Sequence, residues 1–276
     1  MEPTISKSGN RDGLVNFSDY GRPMARWAAF NLKNTRVSVM NVTTFHLAIG
    51  MWAAYHILLE NFIFAAILIV IKGIVDAIDG ELARVRNRPS YVGRYYDSIA
   101  DFLTTSSFFL ASGLVLQWSW YSTLAVLVFS MFQVTLSNYY GVLIRESFNG
   151  DKHSRVDESR CPEPYPWDHL PTLKILHWAY KVVYLWQDKL IVSLHPGTMS
   201  GKTVSTTAYN LSSLFGFGAQ AIIFLGLTVM GKTHLVFEYY TIVNGSLFVA
   251  LILGSHLHNG FTHPYSETET DIHHSK

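Results

Sequence analysis

Charge is scarce in this chain. Only 15% of its 276 residues are Asp, Glu, Lys or Arg, where a soluble domain carries about a quarter, so an ordinary water-facing globular surface is excluded over much of it. No sign of charge dominates either. The 21 Lys and Arg against 20 Asp and Glu leave a formal net charge of +1, which gives no electrostatic footprint for a nucleic-acid partner. Cysteine is nearly absent: the lone Cys161 rules out an intrachain disulfide and removes any sign of an oxidising compartment. It stands beside Pro162 in a polar loop and reads as an incidental thiol. The first forty residues lack a short apolar core followed by a small-residue cleavage site, so no secretory signal is expected there. Internal repeats and low-complexity tracts are also missing.

Long apolar runs are abundant instead. Stretches of roughly twenty residues, the length that spans a bilayer as a helix, fall at Val42–Leu59, Phe62–Asp79, Tyr96–Leu116, Ser119–Leu143, Leu214–Met230 and Val236–Ser255. The connections after the first, third and fifth are very short; those after the second and fourth are longer and charged. Of the 21 basic residues, Lys72 lies within a span and Lys232 in a short connection. The other 19 lie in the first arm, residues 80–95, residues 144–206 or the tail. By the positive-inside rule those four regions, both termini included, face the cytoplasm. Trp118, Trp120 and Tyr121 suit an aromatic belt at the opposite interface. The expected fold is an all-α integral membrane protein of six transmembrane helices with amphipathic interfacial helices. Its organisation is a cytoplasmic arm over residues 1–41, a six-span domain over 42–255 with a cytoplasmic segment at 144–206, and a tail over 256–276.

Two further segments have a one-sided apolar pattern. Around Arg22–Lys33, Met24, Trp27, Ala28 and Leu32 share a helical face while Arg26 and Lys33 point elsewhere. Over Leu173–Leu194, a polar stripe of Lys174, His177, Lys181 and Asp188 opposes Ile175, Trp178, Ala179, Val182 and Trp186. Each suits a helix in the headgroup region, or one packed on the protein's own cytoplasmic surface.

The chemistry is concentrated in one stretch. Asp76-Ala-Ile-Asp79-Gly80-Glu-Leu-Ala83-Arg84 is followed, eight residues later, by Gly93-Arg-Tyr-Tyr-Asp97-Ser-Ile-Ala-Asp101. On a helix Asp76, Asp79 and Ala83 share a face at i, i+3 and i+7, and Asp97 and Asp101 share one at i, i+4. Two helices joined by a short turn are antiparallel neighbours, so the four carboxylates can meet near the cytoplasmic boundary. An acid at the centre of a span costs about 2.5–3.5 kcal/mol on insertion scales, less near the interface, and four acids together repel one another. Hard divalent ions answer that repulsion, and Mg²⁺ is the usual choice when phosphate oxygens share the shell. Gly80 and Gly93 would let backbone and ligand approach closely, Ala83 keeps a groove open, and Arg84 offers a forked donor to phosphate.

The pattern Asp-x2-Asp-Gly-x2-Ala-Arg-x8-Gly-x3-Asp-x3-Asp resembles the signature of the CDP-alcohol phosphatidyltransferases (class I), with every defined position filled. At ordinary residue frequencies an eight-position match arises by chance on the order of 10⁻¹⁰ per starting position. The resemblance implies a six-helix membrane enzyme of phospholipid synthesis, a homodimer with a cytosol-facing site; read with the chain's compact size, the expected location is a prokaryotic inner membrane. It implies a two-metal centre on Asp76, Asp79, Asp97 and Asp101, filled by Mg²⁺ with Mn²⁺ as the substitute. Asp101 would be the general base. CDP contacts would fall on Asp76, Asp79, Gly80, Ala83, Arg84 and Gly93. The reaction implied is in-line attack of an acceptor alcohol on a CDP-alcohol donor with release of CMP, one of the two substrates being a lipid. The family often opens its first span with Pro-Asn-x-x-Thr. Here Val39-Met40-Asn41-Val42-Thr43-Thr44 lacks the proline, and Asn41 with either Thr43 or Thr44 would contact the nucleotide, depending on register.

Blander readings stand beside these. Lys72, one turn before Asp76, either pairs with it, meets an acceptor phosphate, or only reaches for polar company. Arg86, Arg88 and Arg94 read as interfacial anchors. The histidines from His256 to His274 read as a polar tail rather than a metal site. Two other functions compete: an Asp/Mg-dependent membrane prenyltransferase, which has no need of Gly80-x-x-Ala83-Arg84, and a divalent-cation transporter, which needs a polar path across spans that here are almost free of charge. Composition leaves open whether the donor is CDP-diacylglycerol with a small polar acceptor or a CDP-small alcohol with a lipid acceptor.

Overall fold

A computed structural model describes residues 14–147, 158–194 and 205–261, with no side-chain description for 146–147 and 256–261. Of the tail's histidines, His256 and His258 fall in the last helix, and those from His263 onward lie outside the described residues. Those described form helices and connections, with no strand among them. In order they are α1 (Arg22–Leu32), α2 (Val39–Leu58), α3 (Phe62–Val85), α4 (Tyr91–Val115), α5 (Trp120–Ser147), α6 (Leu170–Tyr180), α7 (Trp186–Leu194), α8 (Thr206–Ser212), α9 (Phe217–Val229), α10 (Val236–Glu238) and α11 (Asn244–Phe261). A π-helical turn, Lys181–Leu185, joins α6 to α7, and another, Tyr239–Val243, joins α10 to α11.

The short connections have a common cause. Glu60, Asn87, Gln117 and Gly231 all take positive φ, between 48° and 69°, the left-handed residue that ends a helix. After each, the next amide reaches back a full turn: Asn61 N–H to the His56 carbonyl (2.9 Å), Arg88 to Ala83 (3.0 Å), Trp118 to Gly113 (2.9 Å) and Lys232 to Leu227 (2.7 Å). These bonds satisfy carbonyls that the helix end would otherwise orphan.

α2 packs on both α3 and α4, while α1 and α9 also pack on α3. The main core joins Ile49, Ala53 and Ile57 of α2 to Ala65, Ala66 and Ile69 of α3, Phe108 and Phe109 of α4, Met131 of α5 and Phe224 of α9. Small residues set the close approaches: Gly50 lies against Thr104, and Gly113 against Thr123, as expected where helices associate by backbone contact in lipid. Large apolar side chains point outward, among them Phe45, Trp52, Ile63, Ile67, Leu110 and Leu114, which is the surface a bilayer covers.

Among the described residues, three stretches are long and apolar enough to cross a membrane: Tyr91–Val115, Trp120–Arg145 and Thr233–Ser255. The pair Thr206–Phe215 and Phe217–Val229, bent by 55°, makes a fourth if it is one span. α2 and α3 are also long, but Asn41, Thr43, Thr44, His46 and His56 dilute the apolar character of α2, and α3 carries Lys72, Asp76 and Asp79. The fifth expected span is thus broken. At the break Gly216 is extended, and its missing Cβ makes room for Ser18. The Ser18 hydroxyl accepts the Ala219 amide at 3.1 Å, capping α9 from the other end of the chain. In the sixth, the Tyr240 carbonyl within the π turn is satisfied by Gln133 Nε2 (3.1 Å), whose Oε1 accepts from Asn244 (3.2 Å).

The two amphipathic segments pack on the protein and keep an apolar face outward. α1 buries only Ala25 and Ala29 and leaves Met24, Trp27 and Phe30 outward, Trp27 at 74% exposure. α6 buries Leu173 and His177 while Ile175 and Trp178 face out. Each packs on the protein by a narrow stripe and offers bulky apolar groups on the other side.

Candidate active site

The site is assembled by the turn between α3 and α4. Asn87 ends α3, and Ser90 starts α4 by accepting the Gly93 amide at 2.9 Å. Asp168 reinforces that start, taking the Ser90 hydroxyl at 2.5 Å and the Tyr91 amide at 2.9 Å, while Trp167 donates to the Pro89 carbonyl at 2.7 Å. The Pro162–Trp167 run is therefore fastened to this turn. Arg86 fastens the other side: its guanidinium donates to the carbonyls of Leu32, Lys33, Thr35 and Val37. It clamps the α1–α2 connection rather than serving as a loose surface anchor.

Held in this way, α3 and α4 face their acids toward each other and toward α2. One oxygen each from Asp76, Asp79 and Asp97, together with a ring nitrogen of His46, lie within 4.8 Å of one another. Thr43, fully buried, donates its hydroxyl to Asp79 Oδ2 at 2.7 Å. Thr44 is exposed and shares a hydrogen bond of 2.9 Å with Tyr96, so of the two threonines Thr43 is the one at the acids. Asn41 is exposed at the start of α2. Lys72, fully buried, forms an ion pair with Asp101 and lies 3.6 Å from Asp76, with its ammonium 4.1 Å from the centre of the Phe217 ring.

A cleft of about 440 Å³ opens over the acids. Asp76, Asp79, Asp97, Asp101, Gly80 and Arg84 all line it, and Arg22, Arg94 and Arg145 give it a cationic side. Ala83 and Gly93 are not among its lining residues; Gly93 is buried at the cap of α4, where an added Cβ would meet Ser90 at 3.5 Å. Glu81, which the motif leaves undefined, is buried and gathers Arg84 (3.0 Å), Arg22 (3.5 Å) and Arg26 (3.8 Å). Arg94 pairs with the buried Glu158 at 2.5 Å, and Glu158 also accepts from Tyr95 at 2.8 Å. From the segment beyond α5, Tyr184 donates to the Ser98 carbonyl at 3.0 Å. Burial and then the charges of Asp101 and Asp97 push its hydroxyl up, so it stays a donor. Burial raises Asp188, at the cleft wall, to about 6, against the opposing hydrogen bond from Tyr180.

His46, Glu81 and Tyr184 escaped the sequence reading. His46 and Thr43 are i, i+3 on α2, a spacing that signals a shared face only once one knows that this face meets the acids. The donor set fits a divalent ion: clustered carboxylate oxygens whose repulsion needs a cation, next to a wholly buried imidazole with an unbonded Nδ1.

Fold and site together define a helical protein with membrane-length apolar helices and a carboxylate-lined cleft over one interhelical turn. Residues 37–161 match the family model for CDP-alcohol phosphatidyltransferase. A bifunctional IPC transferase and DIPP synthase of Thermococcus kodakarensis is 32% identical over 144 residues, which cover 51% of this chain and 33% of that protein. An archaetidylinositol phosphate synthase of Pyrococcus horikoshii is 32% identical over 89 residues, 32% of this chain and 47% of that protein. The chain thus spans less than half the length of these curated relatives. Residues 37–161, which contain all four aspartates of the motif, are similar to the CDP-alcohol phosphatidyltransferase domain.

Proposed function

We propose that the chain transfers a phosphoalcohol group from a CDP-alcohol donor to an acceptor alcohol, releasing CMP, in phospholipid synthesis. The observation that carries this reading is the convergence of Asp76, Asp79 and Asp97 within one cleft, inside the matched domain, with Asp101 on the same wall. Asp76, Asp79, Asp97 and Asp101 would hold two divalent ions, Mg²⁺ by class or Mn²⁺ in its place. Bound there, such ions supply charge neutralisation of the diphosphate and of the departing CMP oxygen.

The chain's own residues do the rest. The Asp101 carboxylate takes the proton of the acceptor hydroxyl. The freed oxygen bonds to the phosphorus nearer the donor alcohol, the bond from that phosphorus to the CMP oxygen breaks, and CMP leaves with the electron pair. Lys72 pairs with Asp101 and holds it in place. Thr43 fixes Asp79. Gly80 leaves space over α3 for a phosphate, and Arg84, steadied by Glu81, presents its guanidinium to it. Asn41, Thr44, Ala83 and Gly93 remain candidate nucleotide contacts on the motif alone. The name of the Pyrococcus relative supports a phosphorylated polyol as acceptor, and Arg22, Arg94 and Arg145 on the cleft wall suit its phosphate. The same reading includes six spans, with α2 and α3 as the first two, site and termini toward the cytoplasm, and a homodimer.

The test is CMP release by purified protein given Mg²⁺, CDP-linked lipid or CDP-aminoalcohol donors and candidate acceptors. Asp101→Asn should abolish turnover while metal-dependent CDP binding persists; robust turnover by that variant removes Asp101 as the base, and no CMP release with any donor removes the reaction.

A further inference from the structure

We propose that His46 ligates a divalent ion through Nε2, alongside Asp76, Asp79 and Asp97. The inference rests on the metal-binding part of the proposed function and adds to it a nitrogen donor from α2.

His46 is wholly buried. Its Nε2 lies 3.2 Å from Asp97 Oδ1, 3.7 Å from Asp76 Oδ1 and 3.8 Å from Asp79 Oδ2. One imidazole N–H can serve one of three acceptors, so hydrogen bonding to Asp97 accounts for only part of this placement. A shared ion accounts for all of it. Ligands about 2.1 Å from a six-coordinate ion stand about 3 Å apart when adjacent and about 4.2 Å apart when opposite, and Nε2 stands between those separations from each of the three carboxylate oxygens. Nδ1, on the far side of the ring, is buried and makes no hydrogen bond, so the polar contacts of this imidazole are all made by Nε2, toward the acids. Thr43, one turn earlier on α2, holds Asp79 in the same cluster. The α2 helix thus delivers two groups to the ion-binding acids of α3 and α4.

A nitrogen ligand changes the preference of the site. Imidazole suits first-row transition ions, whereas Mg²⁺ is best served by oxygen. His46 therefore tilts this centre toward Mn²⁺ relative to an all-carboxylate one.

The test loads the full chain, in detergent or nanodiscs, with Mn²⁺ and records electron spin-echo modulation. Nitrogen-14 modulation from a bound imidazole is expected, replaced by the nitrogen-15 pattern when histidine is isotopically labelled. His46→Gln should abolish the modulation, and weaken Mn²⁺ binding by about 10–100-fold while Mg²⁺ binding shifts far less. Bound Mn²⁺ without nitrogen modulation in the wild-type protein would overturn the inference and leave the carboxylate site standing; no Mn²⁺ or Mg²⁺ binding at all would overturn both. Because the labelled wild-type spectrum decides alone, a variant that fails to fold does not shield the proposal.

Discussion

Lys72 of α3 and Asp101 of α4 form a cross-helix ion pair inside the bundle, with the lysine wholly buried and the aspartate side chain 35% exposed to the cleft. The pair joins the two helices of the motif at the residue assigned as base. Removing one partner of a buried pair costs about 3–5 kcal/mol, less here because Asp101 keeps some water. Lys72→Gln should lower the thermal midpoint and cut CMP release at least tenfold, while Lys72→Arg retains part of both. A Lys72→Gln enzyme of unchanged rate would show that Asp101 needs no counter-charge.

The two threonines of α2 make a matched comparison. Thr43 donates to a buried carboxylate, whereas Thr44 shares a hydrogen bond with the half-buried Tyr96 hydroxyl. A hydrogen bond to a charged group contributes about 1.5–3 kcal/mol, so Thr43→Val should weaken metal binding by about tenfold or more, read as the Mg²⁺ concentration for half-maximal activity. Thr44→Val should leave it within about twofold. Equal effects would mean that Asp79 is not fixed by Thr43.

Gly80 and Arg84 are one turn apart on α3. A Cβ at Gly80 would stand 3.3 Å from Arg84 Nη2, too tight for the guanidinium to stay where Glu81 holds it. Gly80→Ala should therefore raise KM for the CDP donor more than it lowers kcat, the signature of lost donor contact that is shared by ground and transition states. Steady-state kinetics over donor concentration checks this.

Asp188 gives a pH signature. Its folded-state pKa of about 6 lies above the ordinary 3.8, so folding favours the protonated acid. Below about pH 4 both states are protonated and the group adds no slope; as pH rises toward 6 the unfolded chain releases its proton first, and stability is lost until the folded acid also ionises. Asp188→Asn lacks that loss. The midpoint difference, variant minus wild type, should climb from pH 4 to pH 6 and then level off in thermal melts of the solubilised protein.

The acidic cluster of this molecule was legible from its residues because it is local. Asp76, Asp79, Asp97 and Asp101 come from two consecutive helices, so spacing and one short turn suffice to bring them to one cleft. Short connections at Glu60, Gln117 and Gly231 were equally visible. Other parts depend on partners distant in the chain. Arg86 reads as an anchor until the carbonyls of residues 32–37 come beneath it. His46 and Glu81 look like stray polar residues until their neighbours are known. The break at Gly216 is invisible in an apolar run, because its cause is Ser18, some two hundred residues away. Ala83 and Gly93 fit the motif, yet the fold uses Gly93 for packing at a helix start.

That contrast between near and far bears on how the molecule comes into being. His46, Asp76, Asp79, Asp97 and Asp101 have all left the ribosome once α4 has, whereas the wall that Ser18 and Gly216–Gly218 close between them must wait for α9. A nascent chain at that intermediate stage already carries the residues proposed to bind ions but lacks the enclosure around them, so on that proposal cation capture can precede completion of the cleft during synthesis.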